Sequence, residues 1–253
     1  IRKYGWIPDR PDFRDLKFAD IKPTMVFPAK ADLRDSMPPI WDQGDLGSCT
    51  AHAIGAAVAY ERMKQKETPD FTPSRLFIYY NERAFENTIN EDSGAYIRSG
   101  IKVVNKLGFC DEKYWPYDVT RFKSKPIASA YKNASLYKVV SYYRMDNTKI
   151  DHLKTCLAAG YPFVFGFTVY KSIENSDKTG IIPMPSPTDT EEGGHAVICC
   201  GYDDSTKLFL IHNSWSESVG DKGYYYLPYD YVTNPNLSDD FWTIRRTVET
   251  DNV

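Results

Sequence analysis

The sequence predicts an α+β fold in which a mainly helical first half precedes a strand-rich second half. Helical patterns dominate between residues 50 and 106, whereas apolar and aromatic runs typical of strands dominate from Val139 onward. The 253 residues are 42% hydrophobic and 15% aromatic, enough to bury a large core in one large domain or two smaller ones. Helices followed by strands, without regular alternation, are typical of the α+β class.

The first 30 residues are predicted to form an extended arm. They are rich in Pro, Asp, Arg and Lys, and their aromatic residues Trp6, Phe13, Phe18 and Phe27 follow no sustained period. These aromatic side chains need an apolar surface to pack against. Two interpretations remain open: the arm lies along or across a functional cleft as a regulatory segment, or it braces the back of the fold.

The regular elements after the arm follow from residue patterns and end signals. Few charges occur from Thr50 to Glu61, which predicts a helix buried on most of its surface. Thr72-Pro73 and Ser93-Gly94 precede two further helical patterns, the second of which ends at Gly108. We therefore expect helices over 50–66, 74–85 and 96–106, and strands over 163–169 and 207–211.

Charge and hydropathy exclude two classes of partner. The net charge is −3 and no dense Lys/Arg run occurs, so the electrostatic footprint of a nucleic-acid-binding protein is missing. No apolar stretch approaches the ~20 residues that a membrane-spanning helix needs. We expect neither a nucleic acid nor a membrane as a partner.

Cys49 is the strongest candidate for a chemical role. It follows a turn-rich segment, residues 43–48, and runs directly into the first helical pattern. The partial positive charge at a helix N-terminus favours thiolate over thiol, so we expect the nucleophilic form to be populated near neutral pH.

A thiolate nucleophile needs a base, and the second half offers one. His195 follows Gly193-Gly194 at an apolar strand pattern, and Asn213 ends a second one. His195 lies 146 residues after Cys49, and Asn213 lies 164 residues after Cys49. An imidazole held by a third polar group is the usual companion of an activated thiol.

These residues, with two more, resemble the papain-like cysteine proteases. Gln43 stands six residues before Cys49, where the family places the glutamine of its oxyanion hole, and Trp215 follows Asn213 in Asn-Ser-Trp. The resemblance implies four catalytic residues: Gln43, Cys49, His195 and Asn213. It also implies that Trp215 shields the Asn–His hydrogen bond from water.

The resemblance implies a two-lobed fold with the active-site cleft between the lobes. The helical left lobe would span 31–140 and carry Cys49. An antiparallel, β-barrel-like right lobe would span 141–253 and carry His195 and Asn213, with a C-terminal tail returning to the left lobe. The arm, 1–30, resembles the short Gly-Trp-x-Pro-Asp-x-x-Asp segments that precede the protease core in some bacterial and giant-virus members, here at 5–12.

The family also suggests where substrate binds. Its central pocket takes the second side chain N-terminal to the cut bond, and Gly166 and Ala196 at matching positions predict a roomy apolar pocket for bulky hydrophobic residues. Ser93-Gly94 resembles a ledge that pairs with substrate backbone, although Ser93 replaces a usual glycine. The expected substrate-binding residues are Ser93, Gly94, Gly166, Gly194, Ala196 and Trp215.

The implied activity is that of a cysteine endopeptidase acting through a thioester acyl-enzyme, without metal or organic cofactor. Expected partners are protein or peptide substrates and proteinaceous or epoxide-type inhibitors, and we expect a monomer. Two alternatives remain open. One is a catalytically silent binding module on the same fold, and the other is an amidase, transpeptidase or deubiquitinase-like hydrolase. The arm adds the hypothesis of a zymogen.

The positions of the cysteines indicate the redox character of the cellular compartment. Leu46 stands where papain relatives carry a disulfide cysteine, and residues 74–84, the usual partner region, contain none. This favours a reducing setting, intracellular or virion-associated, with a lysosome-like or secreted one left open. Cys199 and Cys200 are predicted core residues on opposite faces of a strand. Any disulfide among Cys110, Cys156, Cys199 and Cys200 is left open.

Overall fold

The computed structural model describes residues 2–18 and 27–250. Residues 1 and 19–26 of the expected arm, and 251–253 of the expected tail, lie outside the described residues. The helices are α1 (Cys49–Gln65), α2 (Arg75–Glu86), α3 (Ile97–Lys106), α4 (Ala128–Ala134), α5 (Ile150–Ala158) and α6 (Tyr229–Thr233). The strands are β1 (Lys30–Asp32), β2 (Tyr137–Met145), β3 (Phe163–Tyr170), β4 (Glu191–Asp203), β5 (Leu208–His212), β6 (Tyr224–Pro228) and β7 (Ser238–Glu249).

The α+β fold class and the predicted elements are confirmed. The three predicted helices match α1, α2 and α3 within about one residue at most ends, and the two predicted strands match β3 and β5. Helix α2 begins where Ser74 Oγ accepts a hydrogen bond from the Phe77 N–H at 3.1 Å, which satisfies one free N–H of the first turn.

The strands form one antiparallel sheet in the order β2-β7-β3-β4-β5-β6, with β1 paired to β4. Among the described strands, β2 and β6 lie at opposite edges, so the sheet is open and not closed into the expected barrel-like form. Strand β4 is the longest, at 13 residues, and it pairs with β3, β5 and β1. It therefore holds His195 well inside the sheet.

The sheet separates two hydrophobic cores. Val164 and Ile198 face a core shared with α1, α2 and α3, whereas Phe165 and Val197 face a second core on the other side. This follows from the two-residue period of side chains along a strand. Cys200 lies in the first core and Cys199 in the second, as predicted, and all five cysteines are buried free thiols.

Helix α1 lies between the sheet and the other helices. Residues from Cys49 to Arg62 are buried, and the helix packs against β4 and β7 on one side and α2 and α3 on the other. Its even burial explains why its sequence lacks the polar stripe of a surface helix. This position directs the helix N-terminus, with Cys49, toward β4.

None of the helices in the described ranges is long and apolar enough to cross a membrane. The expected lobe boundary at residue 140 falls inside β2, at an irregularity in a strand that pairs with β7 on both sides of it. The division of the chain into lobes stays a prediction.

Candidate active site

Cys49 is the first residue of α1 and faces β4 across the cleft between helix and sheet. Its side chain is fully buried, and the Ala196 N–H points at Sγ with an N···S distance of 3.4 Å. Ala196 is the neighbour of His195 on β4. The first core thus brings together Cys49 and Ala196, which lie 147 positions apart.

His195 forms a hydrogen bond with Asn213. The ring Nε2 lies 2.7 Å from Asn213 Oδ1, and because a carbonyl oxygen only accepts, Nε2 carries the proton in this hydrogen bond. Nδ1 is buried and has no hydrogen-bond partner in the described part of the chain. It is therefore the nitrogen left to exchange a proton. Trp215 stacks on the imidazole, with 4.4 Å between ring centroids, and covers the pair from one side.

The Gln43 side chain is held with its N–H groups facing the cleft. Its Oε1 accepts a hydrogen bond from Ser214 Oγ at 2.7 Å, which fixes the amide orientation. Its Nε2 donates to the carbonyl oxygens of Leu46 at 3.0 Å and Lys3 at 3.2 Å. The donor predicted for the oxyanion hole therefore already holds a peptide carbonyl.

Asp92 and Ser214 support the site, and sequence reasoning missed both. Asp92 accepts hydrogen bonds from the Gly47 N–H at 3.0 Å and the Tyr79 hydroxyl at 2.5 Å, which fixes the loop before Cys49. Ser214 lies inside the Asn-Ser-Trp motif, so a signal for it existed. Asp92 directly precedes Ser93-Gly94, but no motif includes it.

The main chain of the arm runs through the cleft. The Trp6 N–H donates to the Gly194 carbonyl at 2.9 Å, the Ala95 N–H donates to the Gly5 carbonyl at 2.7 Å, and the Ile7 N–H donates to the Ala95 carbonyl at 3.0 Å. The arm is thereby bonded both to β4 and to the loop before α3, on opposite sides of the cleft. At Gly5 the approach is so close that a Cβ atom would lie 1.8 Å from the Gly47 carbonyl oxygen.

Side chains of the arm fill the expected substrate sites. The Trp6 indole occupies a pocket walled by Gly166 and Gly194, where a Cβ atom on Gly166 would lie 2.0 Å from the indole. The Arg2 guanidinium lies over the Trp215 ring, 4.2 Å from its centroid, and forms an ion pair with Asp177.

The floor of the Trp6 pocket is a carboxylate. Asp240 Oδ2 accepts from Trp6 Nε1 at 3.0 Å and from the Asp9 backbone N–H at 2.7 Å, while Oδ1 accepts from Arg144 Nη2 at 3.0 Å. The Asp240 side chain is fully buried. Sequence reasoning missed this residue, since it lies on β7, outside every recognised motif.

The Papain family cysteine protease model matches residues 27–240, well over half of the chain. This chain belongs to the papain family of cysteine proteases. A peptidase C1-like protein of Acanthamoeba polyphaga mimivirus is 44% identical to it, over 98% of this chain and 88% of the relative.

Solved structures of this protease family give the same fold. Xylellain, a cysteine protease from Xylella fastidiosa, is 48% identical, covers 97% of each chain and superposes with a TM-score of 0.87. A Carica candamarcensis cysteine protease in complex with E-64 is 20% identical, with a TM-score of 0.63 over 89% of this chain and all of that one, a likeness of fold alone.

Of the expected substrate-binding residues in this papain-family chain, four lie against the arm: Gly94, Gly166, Gly194 and Trp215. Ala196 lies beside the thiol instead. The Ser93 hydroxyl donates to Thr88 Oγ1 at 2.9 Å, so it is engaged within its own loop. Residues 2–18 and 27–250 contain no cluster of three His, Cys, Asp or Glu side chains suited to a metal.

The expectation of a populated Cys49 thiolate is wrong for this arm-bound form. Burial raises the pKa of the Cys49 thiol to about 11, although N–H groups of Ala196 and Gly5 oppose the shift. Burial also lowers the pKa of His195 to about 4, against the hydrogen bond to Asn213. A helix N-terminus contributes about 0.3–1 kcal/mol to an anion, whereas two pKa units correspond to about 2.7 kcal/mol. Desolvation therefore outweighs the helix dipole at Cys49.

Proposed function

We propose that this papain-family protease is an endopeptidase whose arm blocks the cleft until it is displaced. The observation that carries the proposal is the hydrogen bond from Gln43 Nε2 to the Lys3 carbonyl. A site that holds a peptide carbonyl next to a buried thiol and an oriented imidazole has the groups that acyl transfer needs.

Once the arm has left, Cys49 transfers its proton to His195 Nδ1 and attacks the scissile carbonyl carbon as thiolate. The carbonyl oxygen becomes an oxyanion that accepts hydrogen bonds from Gln43 Nε2 and the Cys49 backbone N–H. The imidazolium protonates the leaving amine, the C–N bond breaks, and a thioester remains on Sγ. Water then attacks the thioester with His195 as base, which releases the acid and restores the thiol. Asn213 keeps the imidazole oriented in both steps.

The direction of the arm supports inhibition over cleavage. The resemblance implies that the pocket takes a side chain N-terminal to the carbonyl in the oxyanion hole. In the arm, Gln43 holds the Lys3 carbonyl, and the pocket holds Trp6, which is C-terminal to it. The arm therefore runs opposite to a substrate, and its peptide bonds are not presented to Cys49 in the productive direction.

The arm also suggests the size of the preferred side chain. Gly166 and Gly194 leave room for a whole indole, in line with the predicted preference for bulky residues in this pocket. Pockets that bury most of a large side chain gain specificity from that burial.

The experiment uses the full chain and opens the cleft by one substitution. Gly5→Ala places a methyl group against the Gly47 carbonyl, so the arm cannot keep its path. We expect the hydrolysis of a Phe-Arg amide reporter under reducing conditions to rise at least tenfold over wild type, with a bell-shaped profile between pH 4 and 9. Adding Cys49→Ala to Gly5→Ala should abolish it. Phe13→Ala, on an exposed residue of the same arm, is the matched control and should leave the wild-type rate unchanged.

The alternatives give different results in this assay. A silent binding module would cleave nothing in the Gly5→Ala form, which would overturn the proposal. Cleavage of ubiquitin conjugates without cleavage of the dipeptide amide would favour the deubiquitinase-like alternative. Activity that survives Cys49→Ala would contradict the assigned nucleophile.

A further inference from the structure

The loop from Gln43 to Cys49 carries the two expected oxyanion-hole donors at its two ends. All five cysteines of the chain are free thiols, so no disulfide ties this loop to the rest of the protein. We propose that Asp92 is a positioning residue for the oxyanion hole: its carboxylate holds the loop so that the Cys49 backbone N–H points at the developing oxyanion. This inference rests on the proposed function.

Asp92 binds the main chain of the loop two residues before Cys49. Both carboxylate oxygens lie within hydrogen-bond distance of the Gly47 N–H, at 3.0 and 3.1 Å. A charged acceptor makes such a bond roughly twice as strong as a neutral one does. A Cβ atom on Gly47 would lie only 3.0 Å from Asp92 Oδ1, so the two groups are in close contact. A carboxylate from outside the loop therefore sets the position of Gly47.

The Tyr79 hydroxyl extends this contact to the loop before α3. It donates to Asp92 Oδ1 at 2.5 Å and accepts from the Gly94 N–H at 3.1 Å. Gly94 precedes Ala95, whose N–H and carbonyl both pair with the arm in the cleft. One chain of hydrogen bonds thus joins the backbone that pairs with a peptide in the cleft to the loop that carries the oxyanion donors.

Helix α2 keeps Asp92 itself in place. Tyr79 is fully buried on this helix, and the Arg83 guanidinium lies over its ring, 4.2 Å from the centroid. Arg83 Nη1 donates to the carbonyl oxygens of Ile89 and Glu91, at 3.0 and 3.1 Å, directly before Asp92. A side chain holds a catalytic group accurately only when packing and hydrogen bonds fix its own position. Asp92 meets this condition through Tyr79 and Arg83.

The role of Asp92 concerns the oxyanion donors and not the thiol. The Cys49 N–H lies two residues beyond Gly47, and the Leu46 carbonyl, one residue before Gly47, holds Gln43 Nε2. A shift of Gly47 therefore displaces both donors, and a misplacement of about 1 Å can cost about 100-fold in rate. Sγ has a separate contact, because it faces the Ala196 N–H on β4.

The test compares two reactions of Cys49 in full-length Gly5→Ala protein. Hydrolysis of the Phe-Arg amide reporter passes through an oxyanion, whereas alkylation by iodoacetamide displaces iodide from a saturated carbon and forms none. Because the donors act on the oxyanion, we expect Asp92→Asn to lower kcat about tenfold or more, with KM changed less than about twofold. The Cys49 alkylation rate should stay within about twofold of the parent, since that reaction needs no oxyanion hole.

Tyr79→Phe should lower kcat less than Asp92→Asn, because it leaves the bond between the carboxylate and Gly47 in place. The double variant should lose less than the product of the two single losses, since both residues act through one chain of hydrogen bonds. Asp45→Asn is the matched control: Asp45 is an exposed carboxylate of the same loop, and its variant should keep the kcat of the parent.

Two results would overturn the inference while the peptidase assignment stands. One is an unchanged kcat in Asp92→Asn. The other is an equal loss in hydrolysis and in alkylation, which would place the damage at the thiol or in the fold. Cys110, fully buried in the core, should stay unalkylated in every variant, which shows that the core is intact. If the Gly5→Ala parent hydrolyses no reporter, the proposed function fails and this inference fails with it.

Discussion

The arm covers two buried sites that differ in the charged groups they contain. At the candidate catalytic pair, burial favours the neutral forms of the Cys49 thiol and the His195 imidazole. At the pocket floor, Asp9 and Asp240 are buried side by side against Arg144, and burial raises the pKa of both carboxyl groups. The first site thus holds two neutral groups with no charged partner, whereas the second holds two carboxyl groups against the Arg144 guanidinium.

The two sites respond to pH in opposite directions. The pKa of His195 is depressed under the arm, so protonation as pH falls below its ordinary value of 6.5 favours the displaced arm. The pKa of Asp240 is raised, so the bound arm retains a proton there and is favoured at low pH. This comparison predicts that acid alone is not a strong trigger for release of the arm.

The largest expected effect is on the reactivity of Cys49. Displacing the arm should return its pKa from about 11 toward the ordinary value of 9.0, which raises the thiolate fraction about 100-fold at neutral pH. Alkylation by iodoacetamide at pH 7.5, located by mass spectrometry, should be faster by that factor in Gly5→Ala than in wild type. Cys110 is an internal control, because burial within the core raises its pKa to about 12 and does not depend on the arm. Equal Cys49 rates in both proteins would contradict arm-imposed desolvation.

A smaller effect is expected on the pH dependence of stability. Burial and the neighbouring Asp9 raise the pKa of Asp240 to about 7 from an ordinary 3.8, so its favourable contribution is present at acid pH and lost as pH rises toward 7. The free energy of unfolding of wild type, relative to Asp240→Asn, should fall by about 2 kcal/mol between pH 5 and 8. Urea unfolding at each pH measures this difference.

Asp239→Asn leaves the Asp9–Asp240 pair in place and, because Asp239 contributes less to the raised pKa of Asp240 than burial and Asp9 do, should keep most of the wild-type pH dependence. Parallel curves for wild type and Asp240→Asn would show that Asp240 is ionised in the arm-bound form, against the raised pKa.

The smallest expected effect concerns the hydrogen bond from Trp6 to Asp240, which joins the arm to the pocket floor. Trp6→Phe in the otherwise wild-type chain keeps an aromatic ring but removes the donor to Asp240 Oδ2. Since one such bond contributes roughly 0.5–1.5 kcal/mol, peptidase activity should rise by about two- to tenfold. In the Gly5→Ala background the same substitution should not raise peptidase activity further. A further rise there would mean that Trp6 inhibits by a route other than pocket occupancy.

Sequence reasoning located three of the helices and two of the strands, and it named four candidate catalytic residues, but it left two interpretations of the arm open. The catalytic residues lie in short motifs whose chemistry is local: a thiol at a helix start, a histidine after two glycines, an asparagine before Ser-Trp. The arm carries a short motif at 5–12, but the motif does not indicate where the arm packs, because its contacts depend on surfaces contributed by β3, β4 and the loop before α3. The open sheet also differed from the barrel-like expectation, since closure depends on pairing between distant strands.

The sequence by itself determined the family and the fold class, and it supplied the candidates for the nucleophile and its base. These follow from hydrophobic periodicity and from side-chain chemistry, which the order of residues encodes directly. Tertiary structure alone decided that Trp6 fills the expected substrate pocket, that Asp240 forms its floor and that burial favours the neutral forms of Cys49 and His195 under the arm. The reason is physical: burial and hydrogen-bond partnership arise between residues more than 200 positions apart, and desolvation of a group depends on everything packed around it.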